Sequence, residues 1–394
     1  MRIALFSDTY PPQINGVATA TWTLAHVLMA KGHKVMVVTP ALEGQKKISY
    51  IDGIVRIPGI TVKRLYNYKF SSFYNRRVYR LIKDFAPEVI HIQTEAGIGI
   101  FGRIVSFNLG IPLVYTYHTM YEDYTYYVTK GFKPFDRFAK RVVASFSAMI
   151  GDSTTEFMTT SYKTRDALRR YGVKKYINVV PNGLDLSAFQ ADHISSSRLD
   201  ELKEKYGLKD KFVILILGRL AKEKSNGIIL SFLSSYLKNK RKSGIKLLIV
   251  GDGPDKAALE KKVSDLKMNS YTEFVGPVPH SDVPLFYALA DLYVSASTSE
   301  TQGLTYNEAM ASKTLVLARY DDNLSGIIED EVTGFFFTNE RSFDEKLEKI
   351  MSLGEEEKEK IIESAYRRDM ELFGLELYYK RIMEVYAKAC RKYW

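Results

Sequence analysis

The sequence predicts an α/β protein built from two doubly wound domains, each a parallel sheet with helices on both faces. Its 394 residues exceed the roughly 250–300 residues at which a single hydrophobic core stops growing. Short apolar segments alternate with helical segments, and this alternation starts twice along the chain. A polar stretch over residues 181–211, with an Asn-Gly turn signal, separates the two halves. We therefore expect domains at residues 1–188 and 189–374, and a C-terminal helix at residues 375–394 that returns to the N-terminal domain.

The N-terminal half begins with a strand, a helix and a second strand. Residues 2–7 and 34–39 are short apolar runs of the kind found in buried parallel strands. Between them, the apolar side chains of residues 17–31 have helical spacing, and Gly32 marks the end of the helix. Further strands are predicted at residues 89–92, 112–117 and 148–150.

The C-terminal half repeats the alternation with its own apolar segments. Strands are predicted at residues 212–217, 245–250, 271–275, 292–295 and 314–318, and a charged helical segment from residue 355 onward. Doubly wound sheets bind ligands at the carboxyl ends of their strands. Two such domains facing a central cleft are therefore suited to a nucleotide-linked substrate.

Composition excludes several classes of protein. Hydrophobic residues make up 46% and charged residues 26% of the chain, which excludes wholesale disorder. The single cysteine, Cys390, excludes an internal disulfide framework and fits a reducing compartment. We find neither a signal peptide nor an apolar run of about 18 residues, so we expect a cytoplasmic protein.

The basic excess of the chain is confined to one half. Residues 1–188 hold 25 Lys and Arg against 13 Asp and Glu, whereas residues 189–394 hold 31 against 33. A one-sided excess of this kind predicts a polyanionic partner, either a nucleic acid or an anionic membrane surface.

The segment 299–310 contains the strongest chemical signal. Glu300 and Glu308 lie eight residues apart, with a Gly-Leu-Thr turn between them. A helix starting near Leu304 directs its first amides toward the strand ends, where they can hold an anion. Glu308 can then accept hydrogen bonds from two hydroxyl groups, as in a ribose, while Glu300 reaches another part of the ligand. Taken alone, the pair is better explained as two solvated glutamates near a helix start, since charged residues usually face water.

The two glutamates resemble the Glu-x7-Glu motif of the family-four retaining glycosyltransferases, which have the GT-B fold. Other segments resemble that family in the same order along nearly the whole chain. They are Gly16 in the first loop, His118 after a strand, residues 181–185 entering the hinge, residues 218–224, residues 251–254 and residues 276–278. The resemblance implies two Rossmann-like domains and a nucleotide-sugar donor.

The resemblance also implies the roles of individual residues. Catalytic roles fall on His118, Arg219, Lys224 and Glu300, and donor binding on Gly16, Arg219, Lys224, Val278, Glu300, Gly303, Leu304, Thr305 and Glu308. Arg219 and Lys224 would neutralise a leaving UDP diphosphate. Without the family resemblance, Arg219 and Lys224 could simply be a pair of surface cations. His118 could be a buried histidine whose hydrogen bonds are satisfied within the core, and Gly16 could only form the turn that enters a helix. The histidines lack metal-ligand spacing, so we predict no metal site and no built-in cofactor, and leave a role for Mg²⁺ open.

Two basic and aromatic windows indicate the acceptor. Residues 53–83 contain no acidic residue, and both this window and residues 124–141 mix cations with Tyr and Phe. The predicted membrane-binding cations are Lys63, Arg64, Lys69, Arg76, Arg77, Arg80, Lys133, Arg137, Lys140 and Arg141. Cations attract anionic headgroups and aromatic rings prefer the interface, so we predict a peripheral enzyme docked on an anionic membrane. A nucleic-acid groove is a distant alternative, and a solvated basic face is the simplest one.

Residues 118–124 and 318–324 resemble the diacylglycerol glucosyltransferases of low-GC Gram-positive bacteria and their wall-less relatives. That resemblance implies transfer of glucose from UDP-glucose to 1,2-diacylglycerol with retention, at the inner face of the cell membrane, without a nucleic-acid partner. Residues 311–316 depart from the general family because they lack its Gly-x-Pro-Val sequence. This departure leaves a galactose donor open. The family does not fix the acceptor, so another lipid or a soluble glycan also stays open, and a binding protein without activity is a separate alternative.

Overall fold

The computed structural model describes residues 1–13, 15–62, 68–118, 133–185, 189, 194–240, 244–298, 302–322 and 324–393. The chain forms two compact units. One contains Met1–Leu184 and Phe373–Trp394, and the other contains Asp185–Leu372. The sequence placed the corresponding boundaries after residues 188 and 374.

The N-terminal unit is built on an eight-stranded sheet. Its strands are β1 (Arg2–Phe6), β2 (Lys34–Pro40), β3 (Ser49–Ile51), β4 (Ile54–Ile57), β7 (Val89–Ile92), β8 (Leu113–Tyr117), β9 (Glu156–Thr159) and β10 (Ile177–Val179). The order is β10-β9-β8-β7-β1-β2-β4-β3, and among these strands only β3 is antiparallel to its neighbour. A separate antiparallel pair joins β5 (Gly59–Val62) and β6 (Tyr68–Ser71).

Helices cover the sheet of this unit, as the β-α alternation predicts. They are α1 (Gly16–Ala30), α2 (Arg76–Phe85), α3 (Gly97–Leu109), α4 (Lys133–Asp152) and α5 (Tyr162–Arg170). Asn15 caps α1 through a hydrogen bond from the Ala18 amide, 2.9 Å long. The buried carboxylate of Asp8 accepts the Ile98 amide at 2.9 Å and so caps α3.

The C-terminal unit is built on a six-stranded parallel sheet, in the order β13-β12-β11-β14-β15-β16. The strands are β11 (Phe212–Leu217), β12 (Ile245–Val250), β13 (Thr272–Gly276), β14 (Leu292–Ser295), β15 (Leu315–Arg319) and β16 (Phe335–Phe337). The helices are α6 (Ser196–Lys205), α7 (Asn226–Lys240), α8 (Lys256–Asp265), α9 (Val283–Leu289), α10 (Leu304–Ala311), α11 (Glu340–Ser352) and α12 (Glu355–Phe373). The predicted α/β class with two Rossmann-like parallel sheets is confirmed.

The predicted strand at residues 148–150 is wrong. These residues form part of α4, which runs without a break from Lys133 to Asp152. An apolar triplet cannot distinguish a buried strand from one turn of a helix. The burial pattern is helical here, because Ser147 and Ile150 are three residues apart and both buried, while Met149 between them is 62% exposed. The strand next to β8 is β9, which comes after Gly151.

The last helix, α13 (Leu375–Tyr393), packs on the N-terminal unit. Tyr378, Ile382 and Tyr386 are buried among apolar residues of α1 and of strands β1, β7 and β8. The Tyr386 hydroxyl lies 2.8 Å from His91 Nδ1, beneath the sheet. The Tyr378 ring fills the space beside Gly183, where an added Cβ would approach it to 2.4 Å. The chain thus returns to its first unit with an apolar helix face.

Candidate active site

Three loops at the carboxyl edge of the C-terminal sheet are held together backbone to backbone. The Leu220 amide donates to the Asp252 carbonyl at 2.9 Å, and the Gly251 amide donates to the Gly276 carbonyl at 2.8 Å. A Cβ at Gly251 would lie 1.9 Å from the Gly218 carbonyl oxygen, so no larger residue fits. The glycines after β11 and β12 therefore allow their loops to touch, and this brings the predicted diphosphate loop into a defined position.

Helix α10 starts at the same edge, after β14. Gly303 occupies the position before the helix with φ +81°, a left-handed conformation that favours glycine. A Cβ at this position would lie 2.7 Å from the Tyr306 ring. Among the residues that the structure describes, no side chain caps the start of α10. A Cβ built at Gly218 would lie 3.9 Å from the Thr305 methyl, which places Thr305 against the loop of Arg219. The predicted donor residues Gly303, Leu304 and Thr305 thus lie beside the predicted diphosphate loop.

Glu308 lies one turn into α10 and is half-buried. The Tyr287 hydroxyl is 2.9 Å from Glu308 Oε2 and 3.1 Å from the Thr305 carbonyl. Burial raises the pKa of Glu308 to about 7, although the hydrogen bond from Tyr287 opposes the rise. The Tyr293 hydroxyl donates to Thr305 Oγ1 at 2.8 Å. Two tyrosines therefore hold the first turn of α10 in place.

Arg219 and Lys224 lie on the loop that follows β11. The Arg219 guanidinium is hydrogen-bonded to Glu223, whose side chain is only 7% exposed. This pairing fixes the direction of the Arg219 fork. Lys224 ends a short 3-10 turn (Lys222–Lys224) and is half-buried. Both cations sit at the carboxyl edge that carries the start of α10.

His118 belongs to the N-terminal unit and follows β8. It is 9% exposed, and its Nε2 lies 2.7 Å from the Gln93 side-chain oxygen. Since that oxygen accepts, Nε2 carries the proton and Nδ1 keeps its lone pair. Burial lowers the pKa of His118 to about 4, so the ring is neutral at physiological pH. Gly16 begins α1 after β1, at the same carboxyl edge of this sheet.

Of the other predicted site residues, one is described and several lie outside the described residues. Val278 is half-buried in the loop after β13. Glu300 lies outside the described residues. So do residues 119–124 and Asn323 of the two segments that resemble the diacylglycerol glucosyltransferases.

Some of the predicted membrane-binding cations are described by the structure, and others lie outside the described residues. Arg76, Arg77 and Arg80 are exposed on α2, and Arg137 and Arg141 are exposed on α4. Lys140 forms an ion pair with Asp136 at 3.4 Å. Lys63 and Arg64 lie outside the described residues, and so do the side chains of Lys69 and Lys133.

Sequence reasoning missed the residues that hold the site residues in place. Tyr287 and Tyr293 steady α10, Glu223 holds Arg219, and Gln93 selects the tautomer of His118. No local motif marks these residues, because each of them hydrogen-bonds to a site residue and does not itself bind the ligand. The position of Glu223, four residues after Arg219, is the one signal that a spacing rule for ion pairs could have found.

Among the described residues, no group of three or more His, Cys, Asp or Glu side chains is arranged to hold a metal ion. Within the same part of the chain, no helix combines the length and the apolar character needed to cross a bilayer.

The fold and the C-terminal edge define a class of protein. Two Rossmann-like sheets, with a basic loop, an open helix start and a half-buried carboxylate gathered at one strand edge, are the features of a glycosyltransferase with the GT-B fold. Family comparisons give the same class. The model for Glycosyltransferase Family 4 matches residues 14–188, and the model for Glycosyl transferases group 1 matches residues 199–368.

Relatives of this chain share most of its length. Alpha-monoglucosyldiacylglycerol synthase of Acholeplasma laidlawii is 36% identical over 86% of this chain and 85% of its own. The synthase of the same name from Streptococcus pneumoniae is 33% identical over 99% of this chain and 86% of its own. The chain therefore belongs to the family-four glycosyltransferases and is a hexosyltransferase, as the sequence predicted.

Solved structures show the same fold at low identity. Anabaena HepE in complex with UDP and glucose is 18% identical, with a TM-score of 0.74 over 98% of both chains. Sucrose-phosphate synthase of Thermosynechococcus elongatus is 17% identical, with a TM-score of 0.73 over 98% of both chains. The predicted GT-B fold is confirmed by these similarities.

Proposed function

We propose that this hexosyltransferase moves glucose from UDP-glucose to 1,2-diacylglycerol, with retention of configuration, and forms α-monoglucosyldiacylglycerol. The observation that carries the proposal is the similarity to two alpha-monoglucosyldiacylglycerol synthases, at 36% and 33% identity, over at least 85% of each relative's length. The reaction takes place on the cytoplasmic face of the membrane, where a peripheral enzyme meets both substrates.

The donor half of the proposal is supported by the carboxyl edge of the C-terminal sheet. UDP offers a diphosphate and a ribose. The start of α10 presents backbone amides, and the loop after β11 presents Arg219 and Lys224, which suits a diphosphate. The Glu308 carboxylate lies one turn further along, where it can accept the two ribose hydroxyls. The HepE complexes with UDP and UDP-glucose belong to a neighbour of the same fold.

The proposed chemistry needs charge stabilisation above all. As the bond between the anomeric carbon and the diphosphate breaks, negative charge builds on the leaving group and the sugar becomes oxocarbenium-like. Arg219 and Lys224 stabilise that charge more in the transition state than in the bound donor. His118 is neutral, so it contributes a hydrogen bond to the transferred sugar rather than a charge. No residue in this scheme requires a built-in cofactor, and a reaction with EDTA present tests whether Mg²⁺ contributes.

The acceptor half is supported by charge. The whole basic excess lies in residues 1–188, and the three arginines of α2 are exposed. Their exposure leaves them available to anionic headgroups, each worth about 1 kcal/mol near a charged membrane surface. Diacylglycerol stays in the bilayer, so an enzyme that uses it must reach the interface.

Product analysis tests the proposed function. The protein is incubated with radiolabelled UDP-glucose or UDP-galactose and mixed liposomes that contain diacylglycerol, and the lipid extract is separated and digested with α- or β-glucosidase. We expect one labelled glycolipid from UDP-glucose, sensitive to α-glucosidase only. Label in a water-soluble glycan, a β-linked product or faster transfer from UDP-galactose would each contradict the proposal. An Arg219→Ala protein serves as the inactive control.

A further inference from the structure

Helix α4 turns an apolar face outward. Its large exposed apolar residues follow one another at intervals of three or four, which places them along one side of the helix. They are Phe135, Phe138, Val142, Phe146 and Met149, and they are between 44% and 62% exposed. We call these five residues the α4 stripe. A contiguous exposed apolar row of this length is unusual on a protein surface and marks an interaction site.

The opposite face of α4 anchors the helix to its unit. Ser147 and Ile150 are buried, and a Cβ at Gly151 would approach the Phe157 ring to 2.5 Å. The helix is therefore fixed by its inner face while the stripe faces away from the core. Around the stripe lies a shallow depression of about 520 Å³, lined by Phe138, Arg141, Val142, Ser145, Phe146 and Met149.

Cations accompany the stripe along α4. Arg141 lines the depression together with Phe138 and Val142, and Arg137, one turn earlier in the helix, is also exposed. Helix α2 differs in this respect, because its apolar residues Val78 and Ile82 are buried and its exposed face carries arginines. The N-terminal unit thus has a cationic helix and a helix that is both cationic and apolar. Both helices can therefore attract anionic headgroups, whereas the exposed apolar row lies on α4.

We propose that the α4 stripe inserts into the interfacial region of an anionic bilayer, with α4 lying in the plane of the membrane. The proposal rests on the proposed lipid acceptor, which requires contact with a bilayer, and it names the element that makes the contact. An apolar row flanked by Arg matches the arrangement of helices that lie in a lipid interface. A second copy of this chain fits less well, because a two-fold contact between stripes would bring Arg137 and Arg141 of both copies together.

Salt separates the two elements experimentally. Attraction between cations and headgroups is screened over roughly 8 Å at physiological ionic strength, whereas insertion of apolar side chains is not. Parent protein should therefore bind phosphatidylglycerol-containing liposomes strongly at low salt and keep a residual binding at high salt. We assign the residual binding to α4 and the salt-sensitive part mainly to α2.

The test compares two variants in liposome sedimentation. Phe138→Ser combined with Phe146→Ser should lower binding at high salt by roughly tenfold or more, because two apolar side chains lose their place in the interface. Arg76→Ser, Arg77→Ser and Arg80→Ser together should lower binding at low salt and leave the high-salt residual unchanged. Exposed Val332 in the C-terminal unit provides the matched control, since Val332→Ser should change neither value.

A fluorescent probe reports insertion directly. Val142→Trp places an indole in the stripe, and its emission should shift to the blue and be quenched by brominated lipids when liposomes are added. The protein already contains two tryptophans, so the signal is the difference between variant and parent. No blue shift, or quenching equal to that of the parent, would overturn the proposal.

The outcomes distinguish this inference from the proposed function. Unchanged high-salt binding of the Phe138/Phe146 variant overturns the role of α4, even if product analysis finds the glucolipid. Loss of high-salt binding in the Phe138/Phe146 variant supports the insertion of α4 into the membrane, even if product analysis finds another acceptor. A parent dimer that the same double change makes monomeric, without an effect on liposome binding, would assign the stripe to a second copy and overturn the membrane role. Transfer to a short-chain acceptor dispersed in detergent should be retained and shows that the variant is folded.

Discussion

Replacing Glu308 by Gln isolates the charge of one carboxylate in the proposed ribose site. The amide keeps the shape of the side chain and can still accept a hydrogen bond from the Tyr287 hydroxyl. A hydrogen bond to a charged acceptor contributes about 1.5–3 kcal/mol and a neutral one about 0.5–1.5, a difference of about 1 kcal/mol per hydroxyl. Two hydroxyls therefore give about 2 kcal/mol, or roughly a 30-fold weaker binding of uridine or UDP to Glu308→Gln at high pH.

The effect should depend on pH because the pKa of Glu308 is raised to about 7. Above pH 7 the side chain is ionised before the ligand arrives, and the full difference is measured. Below pH 7 the free protein holds a proton that must be released, so parent affinity falls by up to about tenfold per pH unit until it meets that of the variant. The variant should show no such slope between pH 5.5 and 8.

Isothermal titration calorimetry with uridine is the assay. Uridine has both ribose hydroxyls but lacks the phosphates. The phosphates of UDP ionise in this pH range and would add their own contribution to the pH dependence of the affinity. With 2′-deoxyuridine the parent should lose about half of its advantage over Glu308→Gln, because one hydroxyl is missing. Glu357, exposed in the first turn of α12, provides the control variant Glu357→Gln. A flat pH profile for the parent, or less than a threefold loss in the variant at pH 8, would refute the ribose assignment.

Three further results are expected. Arg219→Ala and Lys224→Ala should each lower turnover by roughly 10²–10³ at an unchanged melting temperature, and near-parental turnover of either would contradict the diphosphate role. Glu300→Gln should leave the calorimetric affinity for UDP within about threefold while it lowers transfer, and an equal loss of both would show that Glu300 also binds the nucleotide. Asp369, a buried partner of Asn307 in α10, has a pKa raised by burial to about 7, so stability should fall as pH rises from about 4 to 7. Asp369→Asn should flatten that slope in thermal melts at pH 5 and 8, and an unchanged slope would show that Asp369 does not cause it.

Strands in the parallel sheets were predictable because they are buried on both faces. Val89–Ile92, Phe212–Leu217, Ile245–Val250 and Leu292–Ser295 have the bounds predicted from their uninterrupted apolar runs. Strands at the edge of the first sheet, such as β3 and β4, escaped prediction because they are short and partly exposed. The α4 stripe explains the error at residues 148–150. A helix with apolar residues on its outer face lacks the polar positions that normally reveal a helical period.

The chemistry of the site was predictable only where a residue acts on the ligand. Arg219 and Glu308 carry charges whose spacing within a motif is visible in the sequence. Gln93 and Tyr287 act on His118 and Glu308 across 25 and 21 positions of chain, and such pairs arise only when strands and helices are assembled. The glycines of the loops after β11 and β12 lie between these cases. Their spacing is visible, but the reason for them, a contact between two backbones, requires the fold.

The return of α13 to the first unit has a consequence for synthesis of the protein. Buried side chains of α13, Tyr378, Ile382 and Tyr386 among them, complete the apolar layer beside α1 and β1. While the ribosome is still making the C-terminal unit, that layer is uncovered. The first domain to be translated is thus the last to be finished, and it closes only after residues 375–393 have emerged. A nascent chain of this kind carries an apolar surface through most of its translation, and we expect chaperones that recognise such surfaces to bind it there.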